Sequence, residues 1–441
     1  MSTPAKIKAE IIEDEAQTIV DTEPVHFSAH YDVVVIGGGA SGMFAAGRAA
    51  ELGKRVLIIE KNKEFGKKLS ITGGGRCNVT NAEKDVRKLL SHYGDADKFL
   101  FSPFSQFGMQ DTFDFFEKRG LPLVVESGKR AFPETQSAPD VTALLKKYMT
   151  KNGVTLKLGY KVTNFVVQES KIVGVETNGE AFGGTNFILA TGGSSHKETG
   201  STGEGLEWLS SLGHTVHKPN PNIVPLKVED KWVKELSGTA LSFMKITFND
   251  VNMNKKKSFS KTGRLLFTHF GISGPLILNS ANQVKQLLRF GKVTATIDMY
   301  PDTEVGTLRN RVVELFNINK NKTLMNILKE IVPAGMQHAV GFHLSPELRE
   351  MKVHSVTKEV RHALVDLLKG MPLTITDTMG YDWAVVSDGG IDLSEIDTKT
   401  MRSKKQSNLY FTGDVLNITR PSGGYSLQLC WTTGWVAGSN A

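Results

Sequence analysis

The sequence predicts an α/β fold in which a parallel-sheet domain is interrupted by a β-rich domain with an appended helical subdomain. Three observations predict it. A strand, a glycine turn, a helix and a second strand follow one another between residues 31 and 60. Three extended stretches then surround the pair Asn178 and Gly179, which is a signal for a tight hairpin. After the Pro-rich stretch 217–225, the period changes from β-rich to helical near residue 303.

The first unit has the order of a dinucleotide-binding, Rossmann-like βαβ motif. Gly37 allows the tight turn, Gly39 lets a pyrophosphate lie against the backbone, and Gly42 lets the helix pack closely on the strand. The helix presents unpaired N–H groups and the positive end of its dipole to the phosphates. Glu60, which ends the second strand, can accept hydrogen bonds from a ribose diol. The predicted nucleotide contacts are Gly37, Gly39, Ala40, Ser41, Gly42 and Glu60.

A second glycine-rich loop follows Glu60, at the point where a simple NAD fold would continue to its next helix. Its backbone N–H groups and the cation of Arg76 can reach the phosphates or the ring of a longer cofactor. Near the C-terminus a strand ends at Asp414, whose carboxylate can hold a ribityl chain. The N-terminus of the final helix can stabilise negative charge on a reduced flavin. The predicted residues are Lys61, Lys68, Thr72, Gly73, Gly74, Gly75, Arg76 and Asn78 in the loop, and Gly413, Asp414, Gly423, Gly424, Tyr425 and Gln428 near the C-terminus.

Two distant segments that converge on one cofactor predict FAD rather than NAD. Six motifs, at residues 36–42, 71–81, 190–193, 199–203, 267–275 and 423–425, occur in the order that is typical of one family of flavoproteins. On these residues the chain resembles the aminoacetone oxidase and BaiN-like family of FAD-dependent oxidoreductases, two-domain flavoproteins built like glutathione reductase.

The resemblance implies a Rossmann-like FAD-binding domain with an inserted β-meander. It places Val162 against the adenine and adds Ala190, Thr191 and Gly192 to the cofactor site. The chain departs from the family pattern near the expected ring and substrate side, so the resemblance leaves the substrate open. These departures are His196 and Lys197, Arg420 and Pro421, and Ser426.

Composition narrows the classes of partner. The chain of 441 residues carries 53 Lys and Arg against 46 Asp and Glu, a modest net charge of +7, so we expect no nucleic-acid partner. No run of 18 apolar residues occurs, which predicts no membrane span. With only Cys77 and Cys430, a disulfide framework is excluded and a cytoplasmic location is expected. No His, Cys, Asp or Glu grouping has metal-ligand spacing, so we predict no metal.

The predicted domain boundaries follow from these signals. Residues 1–29 are expected to form a flexible tail, and residues 30–216 with 371–441 a discontinuous FAD-binding domain. Residues 217–302 are expected to form an inserted β-barrel-like substrate domain, and 303–370 its helical subdomain. We expect a monomer or weak homo-oligomer.

His269 and Arg76 are the predicted catalytic residues. His269 lies in a glycine-containing loop and could act as a base while hydride leaves the substrate for flavin N5. The alternative is a histidine that only holds its loop. Cys77 could be reactive or attach a flavin covalently, or it could be a packing thiol.

Three functional interpretations remain open. The first is oxidation or reduction of a small amine or hydroxy/keto compound by bound FAD. The second is reduction of an enone- or steroid-like substrate with an external NAD(P)H or protein donor. The third is a flavin-based redox sensor or binding protein without turnover. Because no second glycine turn has the strand, helix and acid around it, we expect no dedicated nicotinamide site.

Overall fold

The computed structural model describes residues 25–249 and 258–441. Its strands are β1 (Phe27–Ile36), β2 (Val56–Glu60), β3 (Thr80–Asn81), β4 (Leu123–Glu126), β5 (Arg130–Pro133), β6 (Thr155–Leu158), β7 (Val162–Gln168), β8 (Lys171–Thr177), β9 (Ala181–Leu189), β10 (Val216–Asn222), β11 (Leu226–Val228), β12 (Ala240–Asn249), β13 (Phe259–Thr268), β14 (Gly271–Ser273), β15 (Val293–Asp298), β16 (Met371–Thr378), β17 (Val386–Ile391) and β18 (Leu409–Phe411). Its α-helices are α1 (Ala40–Glu51), α2 (Val86–Leu90), α3 (Asp97–Gln106), α4 (Met109–Glu117), α5 (Ala138–Lys151), α6 (Glu204–Ser211), α7 (Lys231–Glu235), α8 (Pro275–Leu278), α9 (Ala281–Leu288), α10 (Val305–Ile318), α11 (Leu324–Ile331), α12 (Gln337–Phe342), α13 (Pro346–Glu350), α14 (Lys358–Lys369) and α15 (Tyr425–Asn440).

The central sheet has the order β6, β2, β1, β9, β8, β7, with β18 paired to the C-terminal part of β9. Strands β6, β2, β1 and β9 run parallel, whereas β8 and β7 are antiparallel and form the expected meander. Residues 33–36 and 56–60 are buried throughout, as expected for parallel strands covered on both faces. The predicted fold class is confirmed.

Helix α15 packs closely on α1 because both helices carry small residues where they meet. A Cβ atom at Gly434 would lie 2.7 Å from the carbonyl oxygen of Ser41, and one at Gly438 would lie 2.4 Å from that of Ala45. The C-terminal helix therefore supports the first turn of α1, just behind the glycine turn.

The inserted domain is a closed barrel with strand order β11, β14, β13, β12, β15, β16. The last of these strands, β16, pairs with both β11 and β15, so the chain leaves the barrel later than the boundary expected at residue 370. The stretch from Gly370 to Pro372 resembles a turn in sequence, but Met371, Leu373 and Ile375 alternate with outward residues and face the barrel core.

Helices α10 to α14 lie between β15 and β16 in the chain and form the helical subdomain. The strands β10 and β17 form a two-stranded ribbon that carries the chain into the insert and back out of it. β1 begins at Phe27, earlier than the expected end of the tail at residue 29, and the rest of that tail lies outside the described residues. No helix within residues 25–249 or 258–441 is long and apolar enough to cross a membrane.

The contact between α1 and α15 can be tested with Gly438→Val. The added side chain must displace the backbone of α1, which we expect to cost about 1–3 kcal/mol of stability. The matched control is Gly306→Ala in α10, where a Cβ meets nothing within 4 Å. That change should leave stability unchanged or raise it by up to about 1 kcal/mol. Urea unfolding curves of the two variants measure the difference, and equal stability would contradict this packing.

Candidate functional site

A cleft opens at the C-terminal ends of β1, β2 and β9. This is the edge of a parallel sheet at which ligands bind in doubly wound folds. About half of the predicted site residues line this cleft. They come from the first glycine turn, the second loop, the meander, the end of β9 and the C-terminal segment. They are Gly37, Gly39, Ala40, Ser41, Glu60, Lys61, Lys68, Thr72, Val162, Ala190, Thr191, Gly192 and Asp414.

The three glycines of the first turn are required for different reasons. A Cβ at Gly37 would lie 2.5 Å from the carbonyl oxygen of Ala190, and one at Gly42 would lie 1.9 Å from that of Gly37. Gly39 differs, because its φ of −78° and ψ of −172° suit any residue and its Cβ would meet no protein atom within 4 Å. The free space at Gly39 belongs to the cleft, so the residue is needed only if something else occupies that space. This is the fit expected for a pyrophosphate.

Glu60 stabilises the glycine turn as well as lining the cleft. One carboxylate oxygen accepts a hydrogen bond from the backbone N–H of Gly38 at 2.7 Å. The other accepts hydrogen bonds from the backbone N–H and the side-chain amide of Asn62, at 2.8 and 2.7 Å. A carboxylate has about four lone-pair positions, so it can still accept a bond from a ribose hydroxyl.

Residues 194–204, here called the strap, line the cleft with residues 199–204 and are held by lysine side chains. Lys68 Nζ donates to Ser195 Oγ at 3.1 Å, and Lys67 Nζ donates to the carbonyl oxygen of Glu198 at 2.8 Å. At the far end the Glu204 carboxylate pairs with Lys61 at 3.0 Å and Lys161 at 2.9 Å. Burial raises the pKa of Glu204, but hydrogen bonds from Lys161 and Lys61 outweigh it and hold this pKa below its ordinary value.

The strap was not among the predicted site residues, although residues 199–203 belong to the stretches that carry the family resemblance. Val385 and Val386 also line the cleft, and nothing in the sequence around them signals it, because they follow the return from the barrel. Further lining residues outside the prediction are Ile36, Gly38, Ile59, Asn62, Gly66, Lys67, Leu69, Tyr160, Lys161, Trp208, Ser426, Leu427 and Cys430.

The distal end of the cleft, defined by Lys68, Val385, Asp414 and Ser426, holds a cluster of charges. Arg420 is almost fully buried and donates to the Asp414 carboxylate, to the carbonyl oxygen of Ile418 at 2.8 Å and to Ser426 Oγ at 3.0 Å. Burial lowers the pKa of Lys68, and the Asp414 carboxylate opposes part of that effect. Arg420 was noted in the sequence only as a departure from the family pattern.

The end of the second loop, at Thr80 and Asn81, meets the start of α15 outside the cleft, whereas Lys68 and Thr72 earlier in that loop line it. A Cβ at Gly424 would lie 2.2 Å from the backbone of Thr80, and Asn81 Nδ2 donates to the carbonyl oxygen of Gly423 at 3.0 Å. Gln428 is buried, and its amide bonds to Thr80 and two further threonines. The predicted cofactor residues that do not line the cleft are Gly42, Gly73, Gly74, Gly75, Arg76, Asn78, Gly413, Gly423, Gly424, Tyr425 and Gln428.

Neither predicted catalytic residue lines the cleft. The Arg76 guanidinium pairs with Glu126 at 2.9 Å, donates to Gln136 at 2.8 Å and stacks over the ring of Phe132 at 4.1 Å. These contacts direct it toward the small sheet of β3, β5 and β4. His269 is exposed in the loop between β13 and β14, with its ring 5.0 Å from that of Phe270.

Both cysteines are free thiols. Burial raises the pKa of Cys77 to about 12, so its thiol is protonated at neutral pH and is a poor nucleophile. This favours the packing interpretation over a reactive thiol or a covalent flavin link. Among the residues that the structure describes, no group of His, Cys, Asp and Glu could hold a metal ion.

Residues 31–440 match the family described as HI0933-like protein Rossmann domain. The chain belongs to this HI0933-like family. It is 30% identical over 418 residues to the 3-dehydro-bile acid delta(4,6)-reductase of Clostridium scindens, an alignment that covers 92% of this chain and 98% of that protein. It is 28% identical to the ribosomal RNA dihydrouridine synthase of Escherichia coli, over 92% of this chain and 96% of that protein. The family resemblance drawn from the sequence is confirmed.

Among solved structures, the HI0933-like chain resembles the 3-ketosteroid-delta4-(5alpha)-dehydrogenase of Rhodococcus jostii, with a TM-score of 0.52 and 13% identity over 94% of this chain and 97% of that one. The 3-ketosteroid delta1-dehydrogenase of Sterolibacterium denitrificans gives the same TM-score at 14% identity, over 93% and 98% of the two chains. At this identity they show the fold. The family membership confirms that the chain is an FAD-dependent oxidoreductase.

The glycine turn gives a direct test of the cofactor site. Gly39→Val should fold as the wild type does, because its backbone is extended and the space is free, but it should purify largely without FAD. Gly42→Val is the matched comparison, since its side chain must displace the backbone of Gly37 and should destabilise the protein itself. Thermal unfolding and the ratio of absorbance at 450 and 280 nm separate the two effects. Full FAD occupancy in Gly39→Val would contradict the assignment.

Proposed function

We propose that this oxidoreductase reduces a carbon–carbon double bond conjugated to a ring carbonyl. The names of two relatives that align over more than nine-tenths of the chain support this choice. One reduces a dehydro-bile acid, and the other makes dihydrouridine, the product of adding two hydrogens to a uracil ring. FAD in its reduced form supplies a hydride from N5 when bound.

The observation that carries the proposal is the position of Lys68. Its ammonium lies in the wall of the cleft at the distal end, where its hydrogen-bond partner among the described residues is the neutral hydroxyl of Ser195. Addition of hydride to an enone places negative charge on the carbonyl oxygen, which a nearby cation stabilises. Oxidation of an amine instead produces a cationic iminium, which the same ammonium disfavours. The charge at this position therefore favours enone reduction over amine oxidation.

The second hydrogen of the product is a proton, which must reach the α-carbon of the substrate. His269 remains our candidate for this step, because it is exposed and its ring contacts Phe270, which in turn contacts Trp383. Arg76 is not part of this proposal, since its guanidinium is engaged by Glu126 and Gln136. Hydride transfer between the flavin and a small hydroxy or keto compound stays as the alternative.

We also propose a cytoplasmic location and a small-molecule substrate. Two free thiols suit a reducing cytoplasm, and a small-molecule substrate suits a narrow cleft. We retain a monomer or weak homo-oligomer as the expected assembly. An external donor must reduce the flavin, and the glycines at 271–274 and 389–390 lie in the barrel and the ribbon rather than in a second nucleotide motif.

The distribution of charge favours a second candidate substrate, a uracil ring within RNA. Residues 217–378 carry 23 Lys and Arg against 14 Asp and Glu, a net charge of +9, whereas the rest of the chain carries 30 against 32, a net charge of −2. The positive charge of the protein therefore belongs to the insert. This weighs against our expectation of no nucleic-acid partner, and salt-dependent binding of an RNA oligonucleotide would test it.

The proposed reaction can be tested with photoreduced holoenzyme under anaerobic conditions. Mixing with 4-androstene-3,17-dione or with uridine 5′-monophosphate should reoxidise the flavin, and the product should gain two hydrogens by mass spectrometry. A saturated ketosteroid without the double bond is the control and should leave the flavin reduced. Oxidised enzyme should not be reduced by simple amines. Reduction by an amine, with no reoxidation by either conjugated compound, would reject the proposal.

The role of Lys68 predicts a pH dependence. The ammonium must be charged, and burial lowers its pKa, so flavin reoxidation by the enone should slow with rising pH below 10.5, the ordinary lysine value. Lys68→Arg keeps its charge throughout and should remove this alkaline decline. Lys68→Met should be slower by roughly a hundredfold at pH values where the wild-type ammonium is charged, and its rate should show no alkaline decline. A wild-type profile in Lys68→Met would exclude the ammonium from the reaction.

A further inference from the structure

Three apolar side chains, Phe270, Trp383 and Val385, border the distal end of the cleft. We call them the aromatic wall after the two rings. The rings of Phe270 and Trp383 meet edge to face, with centroids 4.8 Å apart and planes at 63°. Val385 follows two residues after Trp383 and lines the cleft itself. The wall is therefore continuous with the cofactor cleft rather than a separate surface patch.

The wall leaves apolar surface open to solvent at this mouth. Trp383 is 44% exposed and Val385 is 43% exposed, whereas Trp232 and Trp431 are almost fully buried. An edge-to-face pair covers one edge of the indole and leaves a face free for a further ring. Exposed indole surface next to a cleft is the kind of apolar patch that marks a ligand site.

Both domains hold the wall in place. Phe270 is fixed from the barrel, where its carbonyl oxygen accepts a hydrogen bond from the backbone N–H of Val228 at 3.2 Å. The turn that carries Trp383 is fixed by Tyr381, whose hydroxyl donates to the carbonyl oxygen of Pro219 at 2.5 Å. The carbonyl oxygen of Tyr381 accepts a bond from the backbone N–H of His196 in the strap at 3.4 Å. The wall is thus a preformed surface at the junction of the barrel, the ribbon and the strap.

Polar groups border the wall on two sides. The ring of His269 lies 5.0 Å from that of Phe270. On the side of the strap, Lys197 Nζ lies 5.6 Å from the centre of the Tyr381 ring. A flat ligand on the indole face could therefore place a carbonyl group near either of two donors while its apolar face is covered.

We propose that the aromatic wall is the substrate-binding surface of this enzyme and that it holds a planar, conjugated ring carbonyl compound by stacking on Trp383. The inference rests on the proposed enone reduction for the class of ligand. Two sources share this chemistry, a steroid-like enone and a pyrimidine base. Stacking of a ring on an aromatic side chain contributes about 1–3 kcal/mol, which corresponds to roughly a tenfold to hundredfold change in Kd.

The test is a titration of oxidised holoenzyme with 4-androstene-3,17-dione and, separately, uridine 5′-monophosphate, followed by the change in flavin absorbance. The probe that binds identifies the source of the ligand. Trp383→Ala should weaken its binding at least tenfold, and Trp383→Phe should retain it within about threefold, since a ring is still present. Phe101→Ala removes another exposed aromatic side chain, in α3, and is the matched control that should bind as the wild type does. FAD content should be the same in all four proteins.

The outcomes separate this inference from the proposed function. Wild-type affinity in Trp383→Ala, equal losses in Trp383→Ala and Phe101→Ala, or no binding of either probe to the wild type would overturn the assignment of the wall. If a probe binds in a Trp383-dependent way but does not reoxidise the reduced flavin, the wall stands and enone reduction fails. If the probe is reduced equally well by Trp383→Ala, enone reduction stands and the wall fails.

Discussion

The close approach of backbone to backbone at Gly42 is the constraint on which the site depends. No side-chain atom fits there, since the carbonyl oxygen of Gly37 occupies the position a Cβ would need. This contact sets the first turn of α1 directly against the end of β1 and aims its free N–H groups into the cleft. Helix α15 supports the arrangement from behind through Gly434 and Gly438. The N-terminal and C-terminal parts of the chain thus form one wall of the cofactor site.

Buried charge at the distal end is the second constraint. Arg420 and Asp414 compensate each other, so neither is left as an isolated charge in an apolar surrounding. Lys68 has no such carboxylate partner in hydrogen-bond contact among the described residues, and its ammonium bonds to a neutral hydroxyl. A cation held in this way is costly to bury and is therefore expected where a reaction develops negative charge. The fold confines that charge to the end of the cleft that also meets the aromatic wall.

The insert contributes to the site through the segment where the chain returns to the central sheet, not through its own hydrophobic core. The barrel and the helical subdomain bury their own apolar residues around β11 to β16. Val385 and Val386, at the start of β17, line the cleft, and the loop after β13 reaches this point through the contact of Phe270 with Trp383. Substitutions in the insert can therefore alter the substrate surface without altering the cofactor turn, because the two are built from different strands. The positive charge of the protein is likewise concentrated in the insert and not in the part of the chain that forms the cofactor turn.

The sequence by itself determined the cofactor turn, the meander, the family and the class of enzyme. These depend on local patterns: a glycine at each place where backbone conformation or space requires one, and strands whose period is visible within a few residues. Tertiary structure alone decided which polar residues face the cleft. Arg76 and Gln428 lie in the expected segments, but Glu126 and Thr80, distant in the chain, bind them elsewhere. Trp383 reaches the site because the ribbon of β10 and β17 brings the end of the insert back to the sheet. The strap and Arg420 are held there by Lys67, Lys68 and Asp414, and such contacts between distant residues leave no periodic signal in the sequence.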